Sequence, residues 1–382
     1  GRGLALLMCR RSCPGCKLDR QINRLPRIVG SYTGRAVDLG KLEERCWPNM
    51  RKPRPVSVVM PVYNAGSYLA EAVESILNQT FCDFEFIIID DGSTDGSSDI
   101  LEEYCAMDDR IKGCHQKNSG VIRSLNRGCR LAQGLLLFRM DADDISLPRR
   151  FERQIRFLDK HPEVGALGTW FERFSGEGKD AGVGALPTQP MSTIWGLLFG
   201  SPISHPTVAM RKAVLEKSGY YREGANYIED RDLWLRMSKI SRLMNIPEIH
   251  LRYRVHEQSI CQKYAKMQSV MLKKSFEENI HVYINGEVSK RSLDRFFNFF
   301  IEKRLCNKVE IKEAVEMLMY IYNYFIKTNR IDSVSHCEIK KDIIEKLLVA
   351  AKIHVIKIPD MSATLLKDRK STRLNSSHVS QS

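Results

Sequence analysis

Nowhere in the 382 residues do 18 or more apolar residues follow one another, so the sequence encodes no transmembrane helix candidate. LALLM, at positions 4–8, is too short and wrongly flanked for a secretory signal. No strand-like run opens into G-x-G-x-x-G either. GVGALP at 182–187 has neither the last glycine nor a helix after it, which argues against a nicotinamide dehydrogenase. Basic charge is scarce where a nucleic-acid reader would need it. The formal charge is +13, but residues 1–49 carry 10 Lys+Arg against 4 Asp+Glu, and residues 367–382 carry 4 against 1. Residues 50–366 are left with 45 against 41, too balanced for a basic face, so no nucleic-acid partner is expected. The eleven cysteines lack pairing. Cys9, Cys13 and Cys16 have only Cys46 as a distant fourth zinc ligand, and the other seven are odd in number and irregular in spacing. That is reduced usage and points to a cytoplasmic protein.

What is present is globular composition, 43% hydrophobic and 27% charged. Residues 1–49 show no sustained period, Met50 reads as the natural start, and KDRKSTRLNSSHVSQS at 367–382 reads as a non-native tail. From Val56 strands and helices alternate. VSVVMPVYN is an apolar run, and Leu69, Ala72, Val73, Ile76 and Leu77 then form the stripe of an amphipathic helix. Phe84–Ile89 repeats the strand and leads through DDGSTDGSS into a helix near 99–105. A third unit runs from IKGCHQ into a helix at about 121–132. The pattern predicts an α/β fold with a mostly parallel sheet and right-handed crossovers. A Gly-rich stretch at 176–190 is expected to be a mobile loop, and residues 261–366 a smaller helical region after an α/β domain at 50–260.

The fourth strand, LLLF at 135–138, runs into Asp141, Asp143 and Asp144. Three carboxylates within four residues are costly to hold together without a cation or a proton among them. In parallel sheets ligands sit outside the carboxyl ends of the strands. Here those ends carry Tyr63 and Asn64, then Asp90 and Asp91, then the aspartate cluster. Hard oxygen ligands alone suit Mg2+ or Mn2+ and imply a metal-bound diphosphate.

VSVVMPVYNAGSYLAEAVESILNQTF, FEFIIIDDGSTDGS, NSGVIRSLNRG, MDADDISLPRR, ISHPTVAMRK and IEDRDLWLRMSK occur in an order and spacing that resembles the family 2 glycosyltransferases of the GT-A fold. The resemblance covers about residues 56–260 and lies nearest the bacterial enzymes that build lipopolysaccharide or capsular polysaccharide. It implies a Rossmann-like GT-A sheet and an inverting transfer from a nucleotide-sugar donor, a UDP-sugar, to a glycan or lipid-linked acceptor. By the resemblance, Pro61, Val62 and Tyr63 lie against the uracil, Asp91 accepts from the base N3–H, and Asp90 orders that loop. Asp141, Ala142 and Asp143 contact ribose and diphosphate, and Asp143 and Asp144 hold the metal. Asp230 is the general base, with Glu229 beside it. Arg123 and Asn126 either reach the pyrophosphate or anchor the crossover, and His256 with Arg254 either closes over the diphosphate near the metal or sits in an ordinary loop. His205 is a structural histidine or a substrate contact, while Trp195 and Trp234 are core residues or a sugar shelf.

Two other readings remain at this point. A haloacid-dehalogenase-type phosphotransferase would use Asp141 as nucleophile and Asp143 as acid, but it wants a small hydroxyl residue at Ile145 and leaves PVYN and DDGSTD unexplained. The other is a nucleotide-sugar-binding module without catalysis. The basic, aromatic segment RSLDRFFNFFIEKR at 291–304 suggests peripheral contact at the inner face of the cytoplasmic membrane, unless it packs on the catalytic domain.

Overall fold

The computed structural model describes residues 56–175, 180–256, 259, 263–284 and 288–354. The expected leader, its cysteine cluster and the expected tail lie outside them. Four apolar runs become the parallel strands β1 (Val56–Val62), β2 (Phe84–Asp90), β3 (Ile111–His115) and β4 (Leu136–Arg139). Between them run α1 (Tyr68–Leu77), α2 (Ser97–Met107) and α3 (Val121–Leu131). The sheet continues through β5 (Ile145–Ser146), β6 (Val164–Ser175), β7 (Asp180–Gly184), β8 (Ala209–Arg211) and β9 (Arg242–Val255). Its order is β3-β2-β1-β4-β8-β6-β9-β5, with β7 paired to β6. β8 is antiparallel to both β4 and β6, and β9 is parallel to β6, so β9 ends on the same edge as β1 to β4. That places His256 on the edge that carries the aspartates.

The strands are apolar on both faces because both are covered. Val58, Met60, Phe86 and Ile88 face α1 and α4 (Arg150–Lys160), packing with Leu69, Val73, Phe151 and Ile155. Val59, Ile87 and Ile89 face α3, against Ile122, Leu125 and Cys129. The second core does not stop at residue 260. It runs through Trp195, Leu233 and Trp234 into Phe276, Phe296, Ile321, Phe325 and Ile343, so the C-terminal helices share a core with the sheet. Those helices are α8 (Ala265–Asn279), α9 (Lys290–Phe296), α10 (Lys308–Thr328) and α11 (Ser333–His354). They follow α5 (Pro190–Gly196), α6 (Lys212–Lys217) and α7 (Glu229–Met237). A capping box sets the start of α10, where Asn307 accepts from the Glu310 amide and Glu310 accepts from the Asn307 amide.

One expectation needs correction, and one open alternative is decided. Part of the expected loop at 176–190 is the strand β7, in which Gly184 lies flat against the Phe171 ring; an added Cβ would come within 2.2 Å of it. The segment 291–304, read as either a membrane contact or packing on the catalytic domain, is mostly interior. Phe296, Phe297, Phe299 and Phe300 are buried, and Phe276 stacks on Phe296 at 5.4 Å, so these aromatics are core rather than surface. No helix among the described residues is long and apolar enough to cross a membrane.

Candidate active site

The carboxyl ends of β1 and β2 interlock. Asn64, in a left-handed conformation, accepts from the Thr94 amide at 2.8 Å and donates its own amide to Ser93 Oγ at 3.0 Å. Tyr63 stands 55% exposed at the strand end, while Val62 is 1% exposed and packs in the core. Only Tyr63 of this pair can therefore offer a face to a base. Asp90 is buried and accepts from Ser93 N at 3.1 Å and Ser98 Oγ at 2.6 Å, with His115 Nδ1 at 3.0 Å; despite its burial these bonds lower its pKa. Asp91 Oδ1 accepts from Gln116 Nε2, Ser119 N and Ser119 Oγ, and its Oδ2 from Gly120 N at 2.8 Å. Asp91 thus fixes the 116–120 loop and keeps one acceptor position on Oδ2 for a ligand. Gly92 allows this closeness, since φ is +79° and a Cβ would meet Asn118 N at 2.9 Å.

Asp141, Asp143 and Asp144 present carboxylate oxygens within 4.8 Å of one another. Burial raises the Asp141 pKa to about 6, with Asp143 and Asp230 adding to the rise and Arg139 opposing it. Burial and the charges on Asp141 and Asp143 drive Asp144 well above the ordinary range. Asp144 Oδ1 accepts from the Arg254 amide at 2.8 Å, whereas its buried Oδ2 has no hydrogen-bond partner among the described residues. His256 Nε2 lies 2.9 Å from Asp143 Oδ2, and its buried Nδ1 has no partner among the described residues. Arg254 donates to the Asp143 carbonyl at 2.8 Å, pairs with Glu71 and lies over the Tyr68 ring at 4.6 Å, fixing the end of β9 against the aspartate loop. An orphaned carboxylate oxygen beside two other carboxylates and an imidazole is a donor set that fits a divalent ion.

Glu229 and Asp230 open α7 near this cluster, close enough for the charge of Asp230 to raise the Asp141 pKa and that of Asp141 to raise the Glu229 pKa. Asp230 Oδ2 accepts from Ser201 Oγ at 2.6 Å and Oδ1 from the Arg231 amide at 2.7 Å. Burial raises the pKa of both acids, Glu229 to about 7, and Glu229 Oε2 has no partner among the described residues. Arg139, at the end of β4, pairs with Asp141 and lowers the pKa of Asp141, Asp144, Glu229 and Asp230. It is the buried countercharge of the site, and the sequence reading passed over it. Its signal was a charged residue in an otherwise apolar strand. Ser201 was missed as well, and no local pattern points to it.

Other residues resolve into structural roles. Asn126 is buried and uses both ends of its amide on the Tyr221 backbone, at 2.8 and 3.0 Å, so it anchors the crossover. Arg123 pairs with Glu223 at 3.0 Å on the surface. His205 is buried against the Tyr221 hydroxyl at 2.8 Å, and burial and Arg139 keep it neutral. Trp195 and Trp234 are core residues whose indole N–H groups donate to Asp342 and Ser201. Ala142 is buried and Pro61 partly so within β1.

The family model of glycosyl transferase family 2 matches residues 57–219. A glycosyltransferase of Haemophilus influenzae, itself uncharacterized, is 35% identical over 240 residues, 60% of this chain and 74% of its own length. The chain is a family 2 glycosyltransferase. The Escherichia coli O-antigen biosynthesis glycosyltransferase WbnJ is 32% identical to this glycosyltransferase, over 53% of this chain and 81% of WbnJ. Among solved structures, Staphylococcus aureus TarS 1–349 in complex with UDP-GlcNAc superposes with a TM-score of 0.51 at 18% identity. The match covers 76% of this chain and 89% of that one, and it shows the shared GT-A fold. Membership in this family leaves no place for the phosphotransferase reading.

Proposed function

We propose that this family 2 glycosyltransferase is an inverting, divalent-metal-dependent enzyme. It moves a sugar from a nucleotide-diphosphate donor, a UDP-sugar, to a hydroxyl of a glycan or lipid-linked acceptor in cell-surface polysaccharide synthesis. The observation that carries this is the meeting of Asp141, Asp143, Asp144 and His256 with Glu229 and Asp230 around the buried Arg139. O-antigen biosynthesis by a relative that shares 81% of its length supports the pathway class. Residues 50–260 form the catalytic region, with the C-terminal helices as its buttress.

Tyr63 stacks on the base, and the remaining acceptor position of Asp91 takes the base N3–H. Asp141 faces the ribose. Asp143, Asp144 and His256 would hold Mn2+ or Mg2+, which supplies charge neutralisation at the leaving diphosphate. Asp230 accepts the proton of the acceptor hydroxyl as its oxygen attacks the anomeric carbon from the face opposite the diphosphate. The new bond to carbon forms as the bond to the diphosphate oxygen breaks, and configuration inverts. Ser201 and the Arg231 amide aim the Asp230 carboxylate. Glu229, whose pKa lies near neutrality, is the other proton-accepting group at this position.

A panel of nucleotide sugars, assayed for nucleotide release with Mn2+, Mg2+ or chelator, tests the reading. UDP-sugars are expected to turn over with either metal and stop with chelator, and NMR should show the inverted anomer. Tight donor binding with no turnover on any acceptor would favour a non-catalytic nucleotide-sugar module instead.

A further inference from the structure

α8 has two faces with different partners. Its inner face grips both flanks of the catalytic pair. Gln268 donates to the Tyr227 carbonyl at 3.0 Å, Tyr264 stacks on Tyr227 at 4.8 Å, and Ser275 accepts from Arg231. Tyr227 lies two residues before Glu229, and Arg231 follows Asp230. The outer face is exposed and, with Lys263 just before the helix, combines apolar with cationic groups: Lys266, Met267 at 52% exposure and Val270 at 62%. From Lys263 to Phe276 the chain carries four lysines and no acid. Beside it a groove of about 350 Å³ is lined by Val270, Lys273, Lys274, Lys290 and Arg304, with Glu277 and Glu302. Past Arg304 the far lip continues in Leu305, 81% exposed, and Val309, 59% exposed.

The charges facing this surface do not cancel. Asp294 holds Lys273 at 2.6 Å, Glu278 lies 3.9 Å from Lys274, and Glu302 pairs with Arg304. Lys263, Lys266 and Lys290 have no acidic partner among the described residues, against Glu277 alone. Exposed aliphatic side chains interleaved with unpaired lysines suit a lipid surface whose headgroups carry negative charge, with methyl groups entering the acyl boundary and ammonium groups on phosphates.

We infer that the outer face of α8 and the 304–309 turn form a docking surface for an anionic phospholipid membrane. The docked face lies one helix diameter, about 10 Å, from the segment carrying Glu229 and Asp230. A membrane-anchored acceptor would then be presented to the base without leaving the bilayer. This last step rests on the proposed acceptor role of Glu229 and Asp230; the docking itself does not.

The test is flotation of the full chain with vesicles of phosphatidylglycerol and phosphatidylcholine, or of phosphatidylcholine alone. The full chain should float with the anionic vesicles and remain behind with the neutral ones. The triple variant Met267→Ser/Val270→Ser/Leu305→Ser keeps the net charge and alters only exposed side chains. It should retain its melting temperature and UDP affinity while vesicle partition drops about tenfold or more. Lys266→Glu with Lys290→Glu should abolish the preference for anionic vesicles. If the full chain does not float, or the triple variant floats as well as the parent, the docking surface is wrong. A parent that sediments as a dimer while the triple variant is monomeric would assign the face to a second copy and overturn the proposal. UDP binding, measured on the same samples, reports on the donor site separately.

Discussion

Glu229→Gln should make the protein more stable at alkaline pH and leave it unchanged in acid. The Glu229 pKa is pushed from 4.5 to about 7, by burial first and by the charge of Asp230 second. A carboxyl group whose folded pKa is raised favours the folded state while it is protonated. That advantage is complete below the unfolded pKa and is lost as pH rises through the folded value. Between about pH 4.5 and 7 the unfolded chain has released this proton and the folded chain still holds it, so stability falls with rising pH across that window. The full shift corresponds to ~3 kcal/mol, which partial exposure of the side chain reduces to about 2 kcal/mol. Gln keeps the shape and removes the ionisation. Urea unfolding of wild type and variant, in chelator, should therefore show the variant about 2 kcal/mol more stable at pH near 8 and equal within error near pH 4. An equal gap at both pH values, or none at pH 8, would refute the electrostatic account of Glu229.

Asp230→Asn should bind UDP within about threefold of wild type and transfer at least about a hundredfold more slowly; near wild-type transfer, with loss in Glu229→Gln instead, would move the base to Glu229. Asp143→Ala should remove the metal dependence of UDP binding in calorimetry, and equal wild-type binding with chelator present would retire the metal. Arg139→Met leaves Asp141 without its ion-pair partner and should cost about 3 kcal/mol or more in urea unfolding at neutral pH, with the loss shrinking in acid as the carboxylates protonate. Glu338→Gln should destabilise by about 1–2 kcal/mol, because Glu338 accepts from the Thr188 and Gln189 amides and the Thr188 and Ser192 hydroxyls at the start of α5.

The catalytic half of the fold was legible because its signals are local. Each strand from β1 to β4 is a short apolar run ending in a polar group, and each helix between them shows its apolar stripe within a few residues. Two apolar faces per strand forced a covered sheet, and the order of the motifs supplied the rest. The C-terminal helices were recognisable as helices by period, but period does not say what a stripe packs against. FFNFF reads equally as a membrane face or as core, and only the stacking of Phe276 on Phe296 decides it. The boundary expected at 260 failed to register in the core for the same reason: Trp195 and Phe325, 5.5 Å apart, are 130 residues apart in sequence.

The site divides along the same line. Asp90, Asp91, Asp141, Asp143 and Asp144 announce themselves because a strand end gathers them in adjacent positions. The groups that set their chemistry come from elsewhere in the chain. Arg254 reaches Asp144 across 110 residues, His256 reaches Asp143 across 113, and Ser201 reaches Asp230 across 29. Segment 188–201 shows why these distant ties matter together. Glu338 holds its start, Tyr283 donates to the Ile194 carbonyl at 2.8 Å, and Arg231 donates to the Leu197 carbonyl at 2.8 Å. Its far end then presents Ser201 to Asp230. The IED motif makes Asp230 legible in the sequence. What orients Asp230 is a segment of ordinary composition, clamped by residues 34 to 150 positions downstream of the groups they hold, and only its three-dimensional placement brings Ser201 to Asp230.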